Sequence, residues 1–377
     1  MFGTMSIREV LDDDLASLVL ADDQLLDRGN DEIEVPHDPR FNMSQRMEIF
    51  RERAALAYLD VLRALCQNRC RTRRALRHTI ADWDNLQLDA EELDVELRQF
   101  TGEKPIVDPS YSRTPVYSFP LSSWAYYHKL RQMEWIVQIG FELEVYQPDE
   151  LAGMYWYLTH LTQTRVRHLE RIRTFVGKRL AAAKRNNPAS TFKESEFGRS
   201  LSFINFSMLE ATANQGFADA LNCLYVALGR LSIFSSPSHP YSDDKTRYEL
   251  RMKPFLQIGL PELIPYDRFN LSVTQPSETT ADLLKIATEA AARARKDFEL
   301  MSKLNAKTAH CLGSEESWKN NVKDCLKACI SASITISMVK KAVDAAGAQG
   351  EVKLKGVIPE AGKGYHDFWV VPKISPV

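Results

Sequence analysis

Four polar side chains stand where chemistry could start: His128, Arg131, Glu142 and Glu144. They lie in the aromatic stretch Trp124–Leu158, WAYYHKLRQMEWIVQIGFELEVYQPDELAGMYWYL. A charge buried in such surroundings must be paired, because an unpaired one costs several kcal/mol. Two readings follow. Arginines elsewhere, such as Arg247 and Arg251 of RYELRMKPF, close an ion-pair network; or a carboxylate accepts a cationic group of a partner, a peptide amine or an arginine. An enzyme reading would rest on Glu142, Glu144 and His128, and would require activity or bound metal in the isolated chain.

Other chemistries fail on spacing. Gly356 to Lys363 has one residue too many for a phosphate loop and lacks the Ser/Thr that follows. No Gly-x-Ser-x-Gly elbow occurs. The one Glu-x-x-His, Glu34 to His37, contains Pro36 and falls in a polar loop, not on the helix that a di-iron site needs. An acetyl-CoA loop of the Arg/Gln-x-x-Gly-x-Gly/Ala type is missing, as is a mixed sheet to carry it. Cys66 and Cys70, and Cys325 and Cys329, are four apart in helical patterns. Without a Cys-x-x-Cys or a second His pair they read as small core residues rather than ligands.

Charge offers a different function. Residues 165–185 hold eight cations (Arg165, Arg167, Arg171, Arg173, Lys178, Arg179, Lys184, Arg185) against one acid, Glu170. This is either a solvated helix face or a contact for RNA or an acidic subunit. Asn68–Arg74 (NRCRTRR) adds a second basic knot, and neither is interleaved with base-stacking aromatics.

The elements that must position these residues read as helices. In Trp124–Leu158 the first helix is apolar nearly all round: Tyr127, Leu130, Met133, Val137 and Phe141 form one stripe, Trp135, Ile139, Leu143 and Tyr146 another. Such a helix belongs in a protein's interior. Pro148, with Asp149 and Glu150, is expected to open a second, antiparallel helix that runs on to about Asn186. Before this hairpin the periodicity predicts a helix over 5–20, a loop over 27–42, two helices over about 44–67 and 70–99 that are either bent near Asn68–Thr72 or continuous there, and a proline-rich extended crossover over 101–120. After it come a helix over 193–234, an irregular connection over 235–280 with six prolines, and helices over 279–305 and 315–346. Ile330–Ile336 is β-branched enough to argue for a strand, but its flanks are helical. The tail holds extended pieces at Val352–Ile358 and Phe368–Pro372.

The expected fold is all-α: an extended multi-helix array around the central antiparallel hairpin, with a long irregular loop and an extended C-terminal tail. Its segments would be 1–40 (helix and acidic loop), 41–234 (helical core), 235–280, 281–346 (helical pair) and 347–377. The chain has 377 residues, 44% hydrophobic and 26% charged, ample for a core. A net charge of −2 sets up no global field, although residues 9–34 are acidic. Six cysteines without a disulfide pattern point to a reducing compartment. No secretory signal is expected, and no run reaches the roughly 18–20 uncharged residues that span a bilayer.

A resemblance accompanies these residues. Tyr127-His128-x-Leu130-Arg131-x-Met133, Gly140-Phe141-Glu142-Leu143-Glu144-x-Tyr146 and Tyr155-Trp156-Tyr157-Leu158 are similar to the large auxiliary subunit of the NatC N-terminal acetyltransferase complex. Asn68-Arg69-x-Arg71-x-Arg73, Arg247-Tyr248-Glu249-x-Arg251-x-x-Pro254-Phe255 and the tail Phe368–Val377 match in the same order. The resemblance covers essentially the whole chain but the C-terminal half of that subunit, without its Met-Asp-Pro-Lys-Met signature. It implies a cytoplasmic, non-catalytic scaffold. Acetyl-CoA would sit on a separate GNAT-fold catalytic subunit, a small Sm-like subunit would complete the complex, and the complex would acetylate nascent chains at ribosomes. Partner contacts would come from Tyr127, His128, Arg131, Glu142, Glu144, Tyr155, Trp156, Arg247, Tyr248 and Arg251. Ribosome or RNA contacts would come from Arg165, Arg167, Arg171, Arg173, Lys178 and Arg179. This chain would hold no cofactor or metal. The alternative is a stand-alone ribosome- or RNA-associated helical protein acting through 165–185.

Overall fold

The computed structural model describes residues 39–108, 112–186, 191–234, 243–273, 277–304, 315–347, 352–360 and 362–376. The helix expected over 5–20 lies outside them. The described chain is all-α with two short strand pairs. It falls into two compact units: one takes in residues up to Lys129 with Arg171–Phe203, the other Leu130–Glu170, Ile204–Ala309 and the remainder from Gly313. None of the described helices is long and apolar enough to cross a membrane.

In the first unit, α1 (Pro39–Leu65) and α2 (Arg69–Thr101) form an antiparallel pair. α1 starts at Pro39, inside the expected loop, because proline suits the first helical position, where no amide hydrogen is needed. The two helices separate at Asn68, whose extended backbone and side-chain bond to the Arg71 amide (3.0 Å) make it an N-cap. Gly102 closes α2 in the left-handed conformation (φ 59°), its amide bonded back to the last carbonyls. Met47, Phe50, Ala54, Tyr58 and Val61 of α1 are buried, as are Leu76, Ile80, Trp83, Leu86 and Leu93 of α2. Along one edge Arg46 pairs with Glu96 and Arg53 with Asp89, seven residues apart on each helix. The expected crossover contains a small antiparallel pair, β1 (Ile106–Asp108) and β2 (Ser112–Val116). Buried Asp94 then caps α3 (Pro120–Glu142) by accepting from the Leu121 and Ser122 amides at 3.2 and 2.8 Å.

The central hairpin is α3 and α4 (Leu151–Asn186). Every α3 residue from Lys129 to Phe141 is buried, as the all-round apolar pattern requires. Two details differ from expectation. Leu143 and Tyr146 are not on the helix: α3 ends at Glu142, and Tyr146 folds back so that its hydroxyl donates to the Val137 carbonyl at 3.2 Å. Its ring occupies the space in which a Cβ on Gly140 would stand, 2.1–2.6 Å from ring atoms, so the glycine is sterically required. Pro148 does not open α4 either. It sits in the turn, Glu150 accepts from the Gln147 amide (2.8 Å), and the helix proper begins at Leu151.

The second unit continues with α5 (Thr191–Arg230), whose upstream part belongs to the first unit. Gly216 faces α8 (Thr280–Ser302) so closely that a Cβ would lie 3.4 Å from the Ala290 carbonyl. The irregular connection is less irregular than expected. It holds α6 (Asp244–Met252), capped by Asp243, a 3-10 turn at Lys253–Phe255 and α7 (Tyr266–Val273). Among the described prolines, Pro254 sits in the first positions of the 3-10 turn and Pro265 just before α7, where neither breaks a helix hydrogen bond. α8 opens on a capping box of Thr279 and Asp282, and α9 spans Glu315–Ala346 with Ile330–Ile336 helical. In the tail β3 (Leu354–Val357), inside the expected Val352–Ile358, pairs antiparallel with β4 (Lys373–Pro376), Leu354 opposite Pro376; the expected extended piece Phe368–Pro372 is not itself a strand, and β4 follows it.

Candidate functional site

The buried centre of α3 carries charge. Glu134 is wholly buried, as is Arg165, the first residue of the basic stretch of α4. Arg165 Nε donates to Glu134 at 2.8 Å and Nη1 to Glu210 of α5 at 3.0 Å; Arg131 reaches the same two carboxylates at 3.3 Å each. Two cations thus alternate with two anions and tie three helices together. Burial raises the Glu210 carboxyl, but Arg131 and Arg165 outweigh it and hold it below the usual glutamate range. Arg165 therefore does not belong to a surface set of RNA contacts, and Arg131 is mostly spent inside. Sequence reasoning missed Glu134 and Glu210. The available signal was a carboxylate at a core position of an apolar helix, in MEW and in MLEA.

The first unit repeats the device once. Lys129, buried at the end of that unit's part of α3, pairs with Asp84 of α2. Desolvation lowers its ammonium and Asp84 partly restores it. Tyr127 is buried nearby and His128 half-buried, ringed by Tyr58, Trp83, Trp124 and Tyr127 at centroid distances of 5.0–5.6 Å.

The second polar cluster sits at the start of α4. Arg251 grips Glu150 through two bonds of 2.8 Å, and Arg247 reaches Asp149 at 2.7 Å and also pairs with Asp244. Tyr248 donates to the Ile264 carbonyl at 2.6 Å. The network foreseen for Arg247 and Arg251 exists, but with Asp149 and Glu150. Glu142 is only half-buried and Glu144 is exposed, because the chain turns away from the core at the end of α3. Glu144 takes the left-handed conformation (φ 52°) that closes the helix.

The Tyr155-Trp156-Tyr157-Leu158 motif fastens the tail. Tyr155 is wholly buried, stacks on Phe141 at 4.2 Å, donates to the Phe368 carbonyl (2.9 Å) and accepts from the Val370 amide (2.8 Å). Tyr225 of α5 donates to the Val370 carbonyl at 2.9 Å. Trp156 is half-buried, edge-on to Phe269 and against His160.

The rest of the basic stretch divides. Arg167, Arg171 and Arg173 are exposed; Lys178 and Arg179 are half-buried, Arg179 paired with Glu103 and 5.3 Å from the Phe175 ring. Among the described residues no group of three or more His, Cys, Asp or Glu could hold a metal. Cys325 and Cys329 are buried, and burial pushes the Cys325 thiol up to about 12, far from a reactive thiolate.

Comparison with known proteins places these features. A family model described as "NAA35-like, TPR repeats" matches residues 1–371. The chain is 24% identical over 234 residues to "N-alpha-acetyltransferase 35, NatC auxiliary subunit" of Saccharomyces cerevisiae; the match takes in 54% of this chain and 28% of that protein. It is 25% identical over 252 residues to the Drosophila melanogaster homolog (62% and 31%) and over 211 residues to the Homo sapiens subunit (54% and 27%). The chain thus spans less than a third of the length of these curated relatives. Its backbone also follows a chain in the crystal structure of the apo NatC complex and in that of the complex bound to Arl3 peptide and CoA. The TM-score is 0.68 in each case, with 15% and 16% identity, covering 87% of this chain and 48% of the other. At that identity the likeness speaks for the fold.

Proposed function

The chain belongs to the NAA35-like, TPR-repeat family, and we propose that it acts as an auxiliary, non-catalytic subunit of a NatC-type N-terminal acetyltransferase complex. The observation that carries this reading is the family match over residues 1–371. In it the chain holds a GNAT-fold catalytic subunit in place, acetyl-CoA is bound by that partner, a small Sm-like subunit completes the assembly, and the complex works on nascent chains in the cytoplasm. The polar motifs support a scaffold role because each fastens the fold: Arg247 and Arg251 hold the start of α4, and Tyr155 holds the tail. The side chains left at the surface, Glu142, Glu144 and Trp156 among them, remain the partner-contact candidates. Arg167, Arg171 and Arg173 are the ribosome-contact candidates, with Arg165 withdrawn.

The test is co-expression of the full chain with a GNAT-fold N-terminal acetyltransferase, followed by purification through a tag on this chain at low and moderate salt. A stoichiometric complex that survives moderate salt is expected. Recovery of ribosomal RNA and proteins alone, lost as salt rises, would overturn it in favour of a stand-alone RNA-associated protein.

A further inference from the structure

α9 has two faces of opposite logic. Its inner face buries Val322, Cys325, Ala328, Cys329, Ala332, Thr335, Ile336 and Val339. Its outer face reads Lys323, Lys327, Ile330, Ile334, Ser337, Lys341, in alternating steps of four and three, and all six are exposed. That spacing averages 3.6 residues, so the six side chains lie along one stripe of the helix. Ile330 and Ile334 are 43% and 57% exposed. Together with Ser333, Ser337, Met338, Lys341 and Arg295 of α8 they line a shallow groove of about 360 Å³.

At a solvent-facing helix position propensity decides, and isoleucine and serine are poorer helix formers there than alanine, leucine, lysine or glutamate. The exposed apolar residues of α1 and α2 (Ile49, Leu56, Leu88 and Val95) also recur at seven, but on α1 they stand among charges of both signs, and the acids Asp89 and Glu96 beside those of α2 already pair with Arg53 and Arg46 of α1, so this face specifies no partner. The α9 stripe does specify one. The groove itself is lined by two cations and no acid, and Lys323 and Lys327 extend the positive rim. Of the neighbouring acids, Glu299 pairs with Arg295 at 2.8 Å and Asp324 with Lys327 at 2.7 Å, and exposed Asp344 lies one turn past Lys341. Both pairs are exposed, so they cost little to exchange.

We propose that the outer face of α9, with Arg295 of α8, is a docking groove for an acidic amphipathic helix of a partner protein. The partner lays apolar residues spaced three and four apart over Ile330, Ile334 and Met338, and flanking carboxylates meet Arg295, Lys341, Lys323 and Lys327. Ser333 and Ser337, with no bulk, let its backbone approach. From Lys323 to Lys341 the stripe is about 27 Å long, enough for about five helical turns. The inference stands apart from the acetyltransferase reading, since it rests on α8 and α9 alone.

The experiment uses the full chain in cells, with p-benzoylphenylalanine placed at Ser337 and, as a control, at Glu92 of α2. The expected result is a photoproduct at Ser337, and not at Glu92, whose partner peptide is net acidic with apolar residues at helical spacing. Ile334→Asp should lower its yield at least tenfold with an unchanged melting temperature. The double reversal Arg295→Glu, Lys341→Glu should do the same while leaving the apolar surface intact. A photoproduct with lipid, RNA, a basic segment or a second copy of this chain, or none above the Glu92 control, would overturn the proposal. Co-purification of a GNAT-fold subunit with the Ile334→Asp chain reports on the acetyltransferase reading separately.

Discussion

The middle of α3 and the outer face of α9 invert the usual rule in opposite directions. α3 carries glutamate and arginine inside, where Glu134 and Arg165 lose all contact with water. α9 carries isoleucine outside. The α3 charges are tolerated because each has its complement within 3.3 Å. Their arrangement fixes the mutual placement of α3, α4 and α5, since no other register brings all four groups together. The outer α9 isoleucines, Ile330 and Ile334, are exposed among the described residues. One departure is closed within the fold; the other is open, and the docking groove proposed above is a reading of it.

The sharpest way to break the comparison is Glu134→Ala. It leaves two buried arginines, Arg131 and Arg165, on the single carboxylate of Glu210, and a loss of about 3–5 kcal/mol in denaturant unfolding is expected. Replacing Glu134 and Arg165 together by methionine should recover most of that loss, because Arg131 and Glu210 still satisfy each other. A double mutant as unstable as the single would show that the network does more than neutralise itself. Next is Gly140→Ala, which drives a methyl into the Tyr146 ring; about 2–3 kcal/mol is expected, with the α3–α4 turn the first region to gain hydrogen exchange.

Acid should open the second unit in two stages. Burial holds His366 down at about 4, with Asp367 and Asp324 opposing it only in part. Between pH ~6.5 and 4 the unfolded chain takes up a proton there that the folded chain refuses, so stability falls as pH drops through that window. Glu210 acts below it: its folded value is depressed, so its contribution is present above the usual glutamate range and is lost as pH falls through the lowered value. His366→Gln should flatten the melting-temperature curve in the upper window and leave the lower limb unchanged. A curve steep from pH 6.5 in both proteins would remove His366 from the account.

Smaller effects sharpen the contrast. Glu144→Gly relieves a left-handed backbone on a residue with a Cβ, and a gain of about 1 kcal/mol is expected. Ile334→Asp should change the unfolding free energy by less than about 0.5 kcal/mol, because that side chain already faces water. A larger loss would mean that α9 uses its outer face internally.

What the sequence by itself determined was local. Periodicity and end signals located α9 at 315–346 and the end of α4 at about Asn186, because a helix and its ends are satisfied by residues a few positions apart; they left the start of α8 between Ser277 and Thr279 and the junction near Asn68–Thr72 bent or continuous, and the caps at Thr279 and Asn68 came from the structure. The short helices α6 and α7 escaped notice, since two turns give too little period to outweigh the prolines around them. Only the tertiary structure decided which charges met. Arg165 reads as one more cation of a basic face until α3 and α5 bring glutamates to it from 31 and 45 residues away. Arg251 chooses Glu150 over Glu142 and Glu144 because α3 ends before those two can face inward. Pairing of this kind depends on which helix faces touch, and spacing along one strand of sequence carries no record of that.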